Sequence, residues 1–403
     1  ERVRQHRTPL NADIASERSK MLFLRCSRRT TVSVPTALAL LLAIYSRSVH
    51  TANAWQSSSG RTATITKEGQ QPVGNILILD HLNINHEKGR HDLLKGFYFD
   101  FLKCAVDPRK EENLAKGKKT LWANIGSQQF HLPEGKPDAQ VLKGVVTLSF
   151  PSLEPILGRY GDEHIQHVLK GTLFDCSEER PNDSGERVCL AIDPWGSKFR
   201  LVEAADPEGE SDSRGKQGGG PSEGIALRDL TFYVPFGCNI KGIARFYDQV
   251  LGAPILECDD ELKCVISVGP TQTMTFAVHP QGQKAGEFSH DDMTDGERVE
   301  GKPHFLSNYG PHVSIYVADL RSSYRRAQDL GVTYVNPRFK RRAYDEESAV
   351  DDCMFRCIDI IDPEDVKSGP IVRLEHEVRS VTKRDGSKYK SCPFEDIPIV
   401  CKS

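Results

Sequence analysis

Apolar and polar positions alternate along four short segments of the chain, near residues 79–85, 144–150, 228–234 and 311–317. Alternation with a period of two is typical of a strand that buries one face. Each segment is followed by a stretch with helical spacing of apolar residues and then by two or three more alternating segments. Because an internal repeat of this size indicates a repeated supersecondary unit, we predict an α+β protein built from four βαβββ units.

The four predicted units fall into two pairs. The first pair spans 75–206 and the second spans 224–380. Residues 207–223 between them are rich in glycine, serine and charge, which is typical of a flexible linker. Two such units side by side make one curved eight-stranded sheet around a cleft. We therefore expect two domains of this kind, followed by a tail over 381–403.

The residues before the first unit have the composition of a targeting leader. We expect 1–20 to lie upstream of a native start at Met21. Residues 21–54 combine a basic stretch, a short apolar stretch and small residues at the end, as secretory signal peptides do. The apolar stretch is too short to predict a stable membrane span. Residues 55–74 are predicted to be flexible or transit-like, so the expected location is the secretory pathway or the exterior, with a plastid reached through a bipartite leader as the alternative.

Composition argues against several functional classes. The net charge is −3, and the folded part has no large basic stripe, so nucleic acid is not an expected partner. The chain has 11 cysteines but no CxxC pair, which argues against a structural zinc cluster. There is no nucleophile elbow, phosphate-cradling glycine loop or dinucleotide fingerprint. Function is therefore expected in the clefts of the repeated units.

Several phrases in the units are more specific than the alternation. His81 and His312 stand in the opening strands of two units, and ARFYDQVLG (244–252) forms a helix phrase. IDPWGSKFRLVE (192–203) combines a turn with a closing strand, as does the segment that ends at 377. Over about 75–380, this chain resembles the vicinal oxygen chelate superfamily, which includes glyoxalase I, extradiol dioxygenases and bleomycin-resistance proteins. The resemblance implies one divalent metal, held by the first and last strands of paired units, that chelates two adjacent substrate oxygens.

Strand parity assigns side chains to the cleft of the first pair. Leu82 and Ile84 are expected to face the helix, which leaves the alternate residues on the cleft face. The side chains assigned to this polar wall are His81, Asn83, Trp122, Asn124, Gln129 and His131. The resemblance implies that His81 and His131 are metal ligands here, and that His312 is a ligand in the second pair.

The other ligand positions implied by the resemblance carry only a fragment of the expected ligand set. They are Val145 and Arg200 in the first pair, and Asp229, Thr275 and Arg373 in the second. Arginine has no lone pair for a cation. Arg200 and Arg373 are therefore predicted either to bind an anionic ligand or to pair with a nearby acid. Glu375 would complete a histidine-and-carboxylate site with Asp229 and His312 if the register differs slightly from our assignment.

Three functions remain open at this point. The first is a glyoxalase-like or dioxygenase-like enzyme that binds a small oxygenated molecule, including an anionic one, in the cleft of 75–206. It would be a lyase or dioxygenase dependent on divalent iron, zinc, nickel or manganese. The second is a metal-free small-molecule binding protein of the bleomycin-resistance type. The third is a regulatory subunit with degenerate clefts. The expected partner is a small molecule, and a homodimer is compatible with all three.

Overall fold

A computed structural model provides the coordinates. The residues it describes are 71–117, 120–135, 138–204, 221–280, 290–292, 303–394, 396–398 and 401. The predicted signal peptide, the transit-like segment up to residue 70 and most of the linker lie outside them, so those assignments stay predictions. Among the described residues, no helix is both long enough and apolar enough to cross a membrane.

Strands dominate the described part of the chain, and the helices are short. The strands are β1 (Ile76–Asn83), β2 (Ala105–Val106), β3 (Thr120–Ile125), β4 (Gln128–Pro133), β5 (Gly144–Phe150), β6 (Asp175–Glu178), β7 (Val188–Ile192), β8 (Lys198–Glu203), β9 (Ala226–Val234), β10 (Ile255–Asp259), β11 (Lys263–Ser267), β12 (Thr273–Val278), β13 (His304–Phe305), β14 (His312–Val317), β15 (Thr333–Val335), β16 (Met354–Ile361) and β17 (Pro370–Ser380). The α-helices are α1 (His91–Leu94), α2 (Glu111–Ala115), α3 (Glu154–Tyr160), α4 (Glu163–Val168), α5 (Ile240–Arg245), α6 (Leu320–Asp329) and α7 (Glu346–Asp352). Wider π-helical turns extend α1 over Lys95–Phe101 and α5 over Phe246–Leu251.

The strands form two mixed sheets. The nine-stranded sheet has the order β13-β15-β16-β17-β14-β1-β4-β3-β2, and the eight-stranded sheet has the order β10-β11-β12-β9-β5-β8-β7-β6. Within each unit the first and last strands are parallel neighbours, as in β1 with β4 and β14 with β17. The predicted α+β class, with four units arranged as two sheets, is confirmed.

The units that share a sheet differ from the expected ones. The nine-stranded sheet joins the first unit to the fourth through the antiparallel pair β1–β14, and the eight-stranded sheet joins the second to the third through β5–β9. The ranges 75–206 and 224–380 therefore group the units differently from the sheets. All four opening strands have similar apolar alternation, so the sequence pattern could not distinguish one partner from another.

The longest helical segments of the first and third units lie between the two sheets. Phe97, in the turns that extend α1, packs on Phe199 of the eight-stranded sheet with ring centroids 5.1 Å apart. Tyr247, in the turns that extend α5, packs on Phe276 of the same sheet at 5.6 Å. Its hydroxyl lies 2.6 Å from Nε2 of His376 in the nine-stranded sheet. Both sheets therefore bury one face on shared helices and leave the other face to a cleft.

A buried glutamine connects the two sheets at an irregularity in β1. The pairing of β1 with β14 shifts between Leu79 and His81, as at a β-bulge. Gln272, which is 1% exposed, accepts a hydrogen bond from the Leu79 N–H at 3.0 Å. Its amide donates to the carbonyl oxygens of Leu79 at 3.1 Å and Leu227 at 3.0 Å. One side chain thus satisfies three buried backbone groups on two sheets.

Replacing this glutamine with an apolar residue of similar size is expected to destabilise the fold. In Gln272→Leu the three backbone groups lose their partner, and the leucine excludes the water that would replace it. We expect a loss of about 2–4 kcal/mol in the free energy of unfolding, measured by urea denaturation of the full chain. Gln166→Leu is the control because Gln166 makes an exposed hydrogen bond to Tyr160. Equal stability of the two variants would contradict the connecting role of Gln272.

Candidate metal centre

A cleft opens on the face of the nine-stranded sheet where the first and fourth units meet. It encloses about 390 Å³. Its lining residues are His81, Asn83, Thr120, Trp122, His131, Pro133, His312, Arg338, Phe339, Lys340, Arg341, Met354, Arg356, Glu377 and Arg379. In the central strand pair, Asn83 lies opposite His312 and His81 lies opposite Ser314. Residues of one parity on β1 and β14 therefore project into the same space.

Three side chains in this cleft converge in the manner of metal ligands. One donor atom from each of His81, His312 and Glu377 lies within 4.8 Å of the other two, and all three residues are buried. The ring centroids of the two histidines are 5.6 Å apart. Two imidazoles that bind one ion in tetrahedral geometry have centroids about 5 Å apart, given Zn–N bonds of about 2.1 Å. We refer to these residues as the cleft trio.

His81 is oriented by a carboxylate and keeps one ring nitrogen free. Its Nδ1 lies 2.8 Å from Oδ2 of Asp80, which also accepts a hydrogen bond from Arg379 at 3.3 Å. The buried Nε2 has no hydrogen-bond partner among the described residues. An unsatisfied buried nitrogen is costly, and a carboxylate on the other nitrogen is the arrangement found behind metal-binding histidines. Nε2 of His81 is therefore available to a ligand.

The carboxylate of the trio is held ionised by two arginines. Glu377 forms ion pairs with Arg356 and Arg379, and its Oε2 lies 3.7 Å from Nε2 of His312. Burial alone would raise the pKa of Glu377, but the positive charges of Arg356 and Arg379 lower it well below the usual value. Each carboxylate oxygen has two lone pairs, so these ion pairs leave capacity for a cation.

The histidines of the cleft are neutral at physiological pH. Burial lowers the pKa of His81, His131 and His312 well below 6.5. The neighbouring charges of Arg379 and Arg356 lower the pKa of His81 and of His312 further. A neutral imidazole keeps the lone pair that a metal or a proton requires.

His131 lies beside the trio rather than within it. Its ring stacks on His81 with centroids 3.7 Å apart and on Trp122 with centroids 4.4 Å apart. Its Nε2 lies 3.2 Å from Oε1 of Gln129. Two rings stacked face to face at this separation do not direct their nitrogens at one ion. The structure therefore brings together His81, His131 and His312, the three histidines singled out in the sequence, but separates His131 by its orientation.

The other residues assigned to this cleft divide into two groups. Asn83 and Trp122 line it, and Arg109 and Lys110 pack against the Trp122 ring. Asn124 and Gln129 do not line it, because both are buried and the Gln129 amide donates to Oδ1 of Asn124 at 2.5 Å and to Oδ2 of Asp107 at 2.6 Å. Parity identifies the face of a strand but not whether a side chain on that face reaches open space.

Arg200 lies in the other cleft, on the eight-stranded sheet between the second and third units. This cleft encloses about 570 Å³ and includes Asp229 and Thr275. Asp229 accepts hydrogen bonds from the hydroxyls of Thr231 at 2.7 Å, Thr273 at 2.6 Å and Thr275 at 2.8 Å. Among the described residues, the cleft trio is the one convergent group of three histidine, cysteine or acidic side chains. The expectation that Arg200 shares a cleft with His81 is wrong because these units belong to different sheets.

Arg373 lines neither cleft, and the acid beside His312 is Glu377. Arg373 pairs with Asp359 at 3.0 Å, with 39% of its side chain exposed. Glu375 accepts a hydrogen bond from Asn308 at 2.7 Å and pairs with Arg356. The sequence interpretation named Arg373 and, as the alternative, Glu375, and it missed Glu377, which has the same parity on β17. The register with β14 sets His312 opposite Glu375, but the Glu375 carboxylate is bound by Asn308 and Arg356, and Oε2 of Glu377 is the acid oxygen 3.7 Å from Nε2 of His312.

Comparisons with known proteins concern the fold. No protein-family model matches the chain, and no curated protein sequence matches it significantly. Glyoxalase I from Zea mays is similar in structure, with a TM-score of 0.42 and 12% identity over 75% of this chain and 92% of that chain. The 2,2',3-trihydroxybiphenyl 1,2-dioxygenase of Sphingomonas wittichii strain RW1 has a TM-score of 0.24 and 12% identity over 76% of this chain and 90% of that chain. The 2,3-dioxygenase LapB of Pseudomonas sp. KL28 has a TM-score of 0.26 and 12% identity over 79% and 94%. Similarities at this level leave the chemistry to the side chains of this chain.

Two glutamates on one strand provide a test of the trio. We expect Glu377→Gln to weaken cobalt(II) or zinc binding at least tenfold, because a ligand of the trio loses its negative charge. Glu375→Gln is a matched control, since Glu375 is also buried and also pairs with Arg356. Affinity is measured by competition with a chromophoric chelator on the full chain. The assignment fails if both variants bind the ion like the parent, or if Glu375→Gln has the larger effect.

Proposed function

We propose that this chain is a metal-dependent enzyme that binds a small anionic molecule with two adjacent oxygen atoms in the cleft of the first and fourth units. His81, His312 and Glu377 would hold the ion. The observation that carries this proposal is the convergence of two neutral histidines and one ionised glutamate in a buried cleft, with Nε2 of His81 lacking a partner among the described residues.

The donor set favours one branch of the chemistry. Two histidines with one carboxylate suit iron(II) or manganese(II) and leave open positions for substrate. This is also the set that the resemblance to extradiol dioxygenases implies. When bound, such an ion would supply Lewis acidity at the adjacent substrate oxygens and, as iron(II), reactivity toward dioxygen. Ring-opening dioxygenation of a catechol-like anion therefore fits better than a glyoxalase-type isomerisation.

The charge of the cleft favours an anionic substrate. Five lining side chains are cationic, and Glu377 is the one lining carboxylate among the described residues. Arg338 lies over the Tyr309 ring at 3.9 Å and donates to the carbonyl of Asn308 at 2.6 Å. Fixed guanidinium groups of this kind bind carboxylates in a defined orientation. In a catechol that carries a carboxylate, the two adjacent oxygens would bind at the cleft trio, and the carboxylate would pair with the cationic lining side chains.

Aromatic rings favour a planar substrate and place a base beside it. Trp122 and His131 stack as one wall, and Phe339 packs edge-on against His312 at 5.5 Å on another side. His131 is neutral because burial lowers its pKa. It can therefore accept the proton of a substrate hydroxyl and return it later, as a general acid–base group does. The residues thus divide the work among ion binding, orientation and proton transfer.

The first test combines metal content with turnover. The full chain is loaded anaerobically with iron(II), manganese(II), zinc or nickel, and bound metal is measured by mass spectrometry. Oxygen consumption is then followed with catechol carboxylates. We expect turnover, together with one equivalent of bound iron(II) or manganese(II) per chain, and we expect both to disappear in His81→Ala/His312→Ala. His164→Ala serves as control because His164 is exposed. A metal content in the double variant equal to that of the parent would refute the site, and iron(II) bound without oxygen consumption would refute the dioxygenase assignment.

A second test isolates the role of His131. We expect His131→Gln to bind the metal as the parent does, because His131 lies outside the trio. Its kcat should fall about 10²–10⁴-fold with little change in KM, and the limb of the pH–kcat profile that reports the base should disappear. A parallel loss of bound metal would instead make His131 a ligand.

A metal-free binding protein is the second candidate function. It is favoured by the ion pairs that Arg356 and Arg379 already make with Glu377. In that case these arginines, rather than a metal ion, occupy the Glu377 carboxylate, and they would contact the anionic ligand themselves. Calorimetric titration of the metal-free chain with a catechol carboxylate separates the two functions. Binding that is unchanged by added metal supports the second, whereas binding that requires the metal supports the first.

A further inference from the structure

A second histidine pair lies outside the cleft, on the segment that joins β1 to α1. It consists of His86, which is 1% exposed, and His91 at the first turn of α1. None of their four ring nitrogens makes a hydrogen bond of good geometry with the described residues, and all four atoms are buried. The backbone carbonyls of Leu132 and Pro133 lie near the His86 ring, whereas Nε2 of His81 is the one such atom on its own ring.

Leaving these nitrogens unpaired is energetically unfavourable. A neutral imidazole carries one donor and one acceptor, and leaving such a buried group unsatisfied destabilises the fold. Burial, with the neighbouring His91, lowers the pKa of His86 to about 4. Burial also lowers the pKa of His91. Protonation therefore does not relieve the deficit, whereas a bound ion or water molecules would.

The arrangement of the rings fits a shared ion. Their centroids lie 5.0 Å apart, and the planes are inclined by 70°. This separation matches the distance of about 5 Å that two imidazoles have around one tetrahedral ion. In the cleft trio, His81 and His312 are 5.6 Å apart. The ring separation of the second pair is therefore as close to this distance as that of His81 and His312.

A carboxylate and a rigid backbone accompany the pair. Glu134 and His86 form an isolated parallel β-bridge. The Glu134 carboxylate accepts a hydrogen bond from the Gly89 backbone N–H at 2.8 Å. Its negative charge partly opposes the lowering of the pKa of both histidines by burial. The backbone N–H of His86 donates to the carbonyl of Pro133 at 3.0 Å, and the backbone carbonyl of His86 accepts from the Gly135 N–H at 2.8 Å. The segment is thus fixed before any ligand arrives.

We propose that His86 and His91 form a second divalent-metal site, suited to zinc, nickel or copper, with Glu134 and water completing the coordination. Borderline ions of this kind prefer imidazole ligands. Glu134 is not within ligand distance of both rings in this structure, so its half-buried side chain has to rotate toward them. The site is independent of the proposed enzyme activity, because none of its residues lines the cleft.

Two sets of substitutions separate the two metal sites. The first set is His81→Ala/His312→Ala, which removes the cleft ligands. The second is His86→Gln/His91→Gln, in which glutamine keeps side-chain volume and hydrogen-bonding capacity. The full-length parent, both double variants and the quadruple variant are titrated with zinc by calorimetry and with cobalt(II) by absorption. We expect two bound ions in the parent, one in each double variant and none in the quadruple variant.

Further readouts keep the result interpretable if His86→Gln/His91→Gln folds poorly. X-ray absorption of zinc-loaded His81→Ala/His312→Ala protein should show two imidazole ligands. Zinc should raise the melting temperature of that protein, and Glu134→Gln should weaken its zinc binding. The proposal is overturned if the cleft variant binds no ion, or if His86→Gln/His91→Gln leaves its binding unchanged. Either result means that water molecules satisfy the pair.

Discussion

The pairing of β1 with β14 is the constraint on which the rest of the structure depends. These antiparallel strands join the first unit to the fourth and set His81 opposite Ser314 and His312 opposite Asn83. His81 and His312, which are far apart in the chain, thereby lie close together on one face of the sheet. The parallel partners β4 and β17 then add His131 and Glu377 to the same face. A shift of one residue in either register would turn these side chains toward the core.

Burying this much charge requires compensation, and the network beneath the cleft supplies part of it. Arg356 and Arg379 face three buried carboxyl groups, those of Asp80, Glu375 and Glu377. Buried ion pairs are weak evidence for stability in themselves. Their value here is that they fix the orientation of Glu377 and, through Asp80, that of His81.

The two clefts of the repeated architecture differ in the donor atoms that they hold. The positions equivalent to the trio on the eight-stranded sheet include Arg200 and Asp229, and the Asp229 carboxylate is saturated by three threonine hydroxyls. None of the described residues that line this cleft is a histidine, so Asp229 has no such partner for an ion there. The two clefts share a backbone frame, so the difference between them lies in a few side chains.

The sequence by itself determined the four βαβββ units, the strands that carry polar residues on one face, and the histidines at 81, 131 and 312, because alternation and strand order are local properties. It did not determine which units share a sheet, since all four opening strands carry equivalent apolar patterns. It assigned the last ligand position to Arg373, with Glu375 as the alternative, and missed Glu377, which has the same parity on β17. Only the tertiary structure decided these points, because register and strand partnership depend on contacts between residues more than two hundred positions apart.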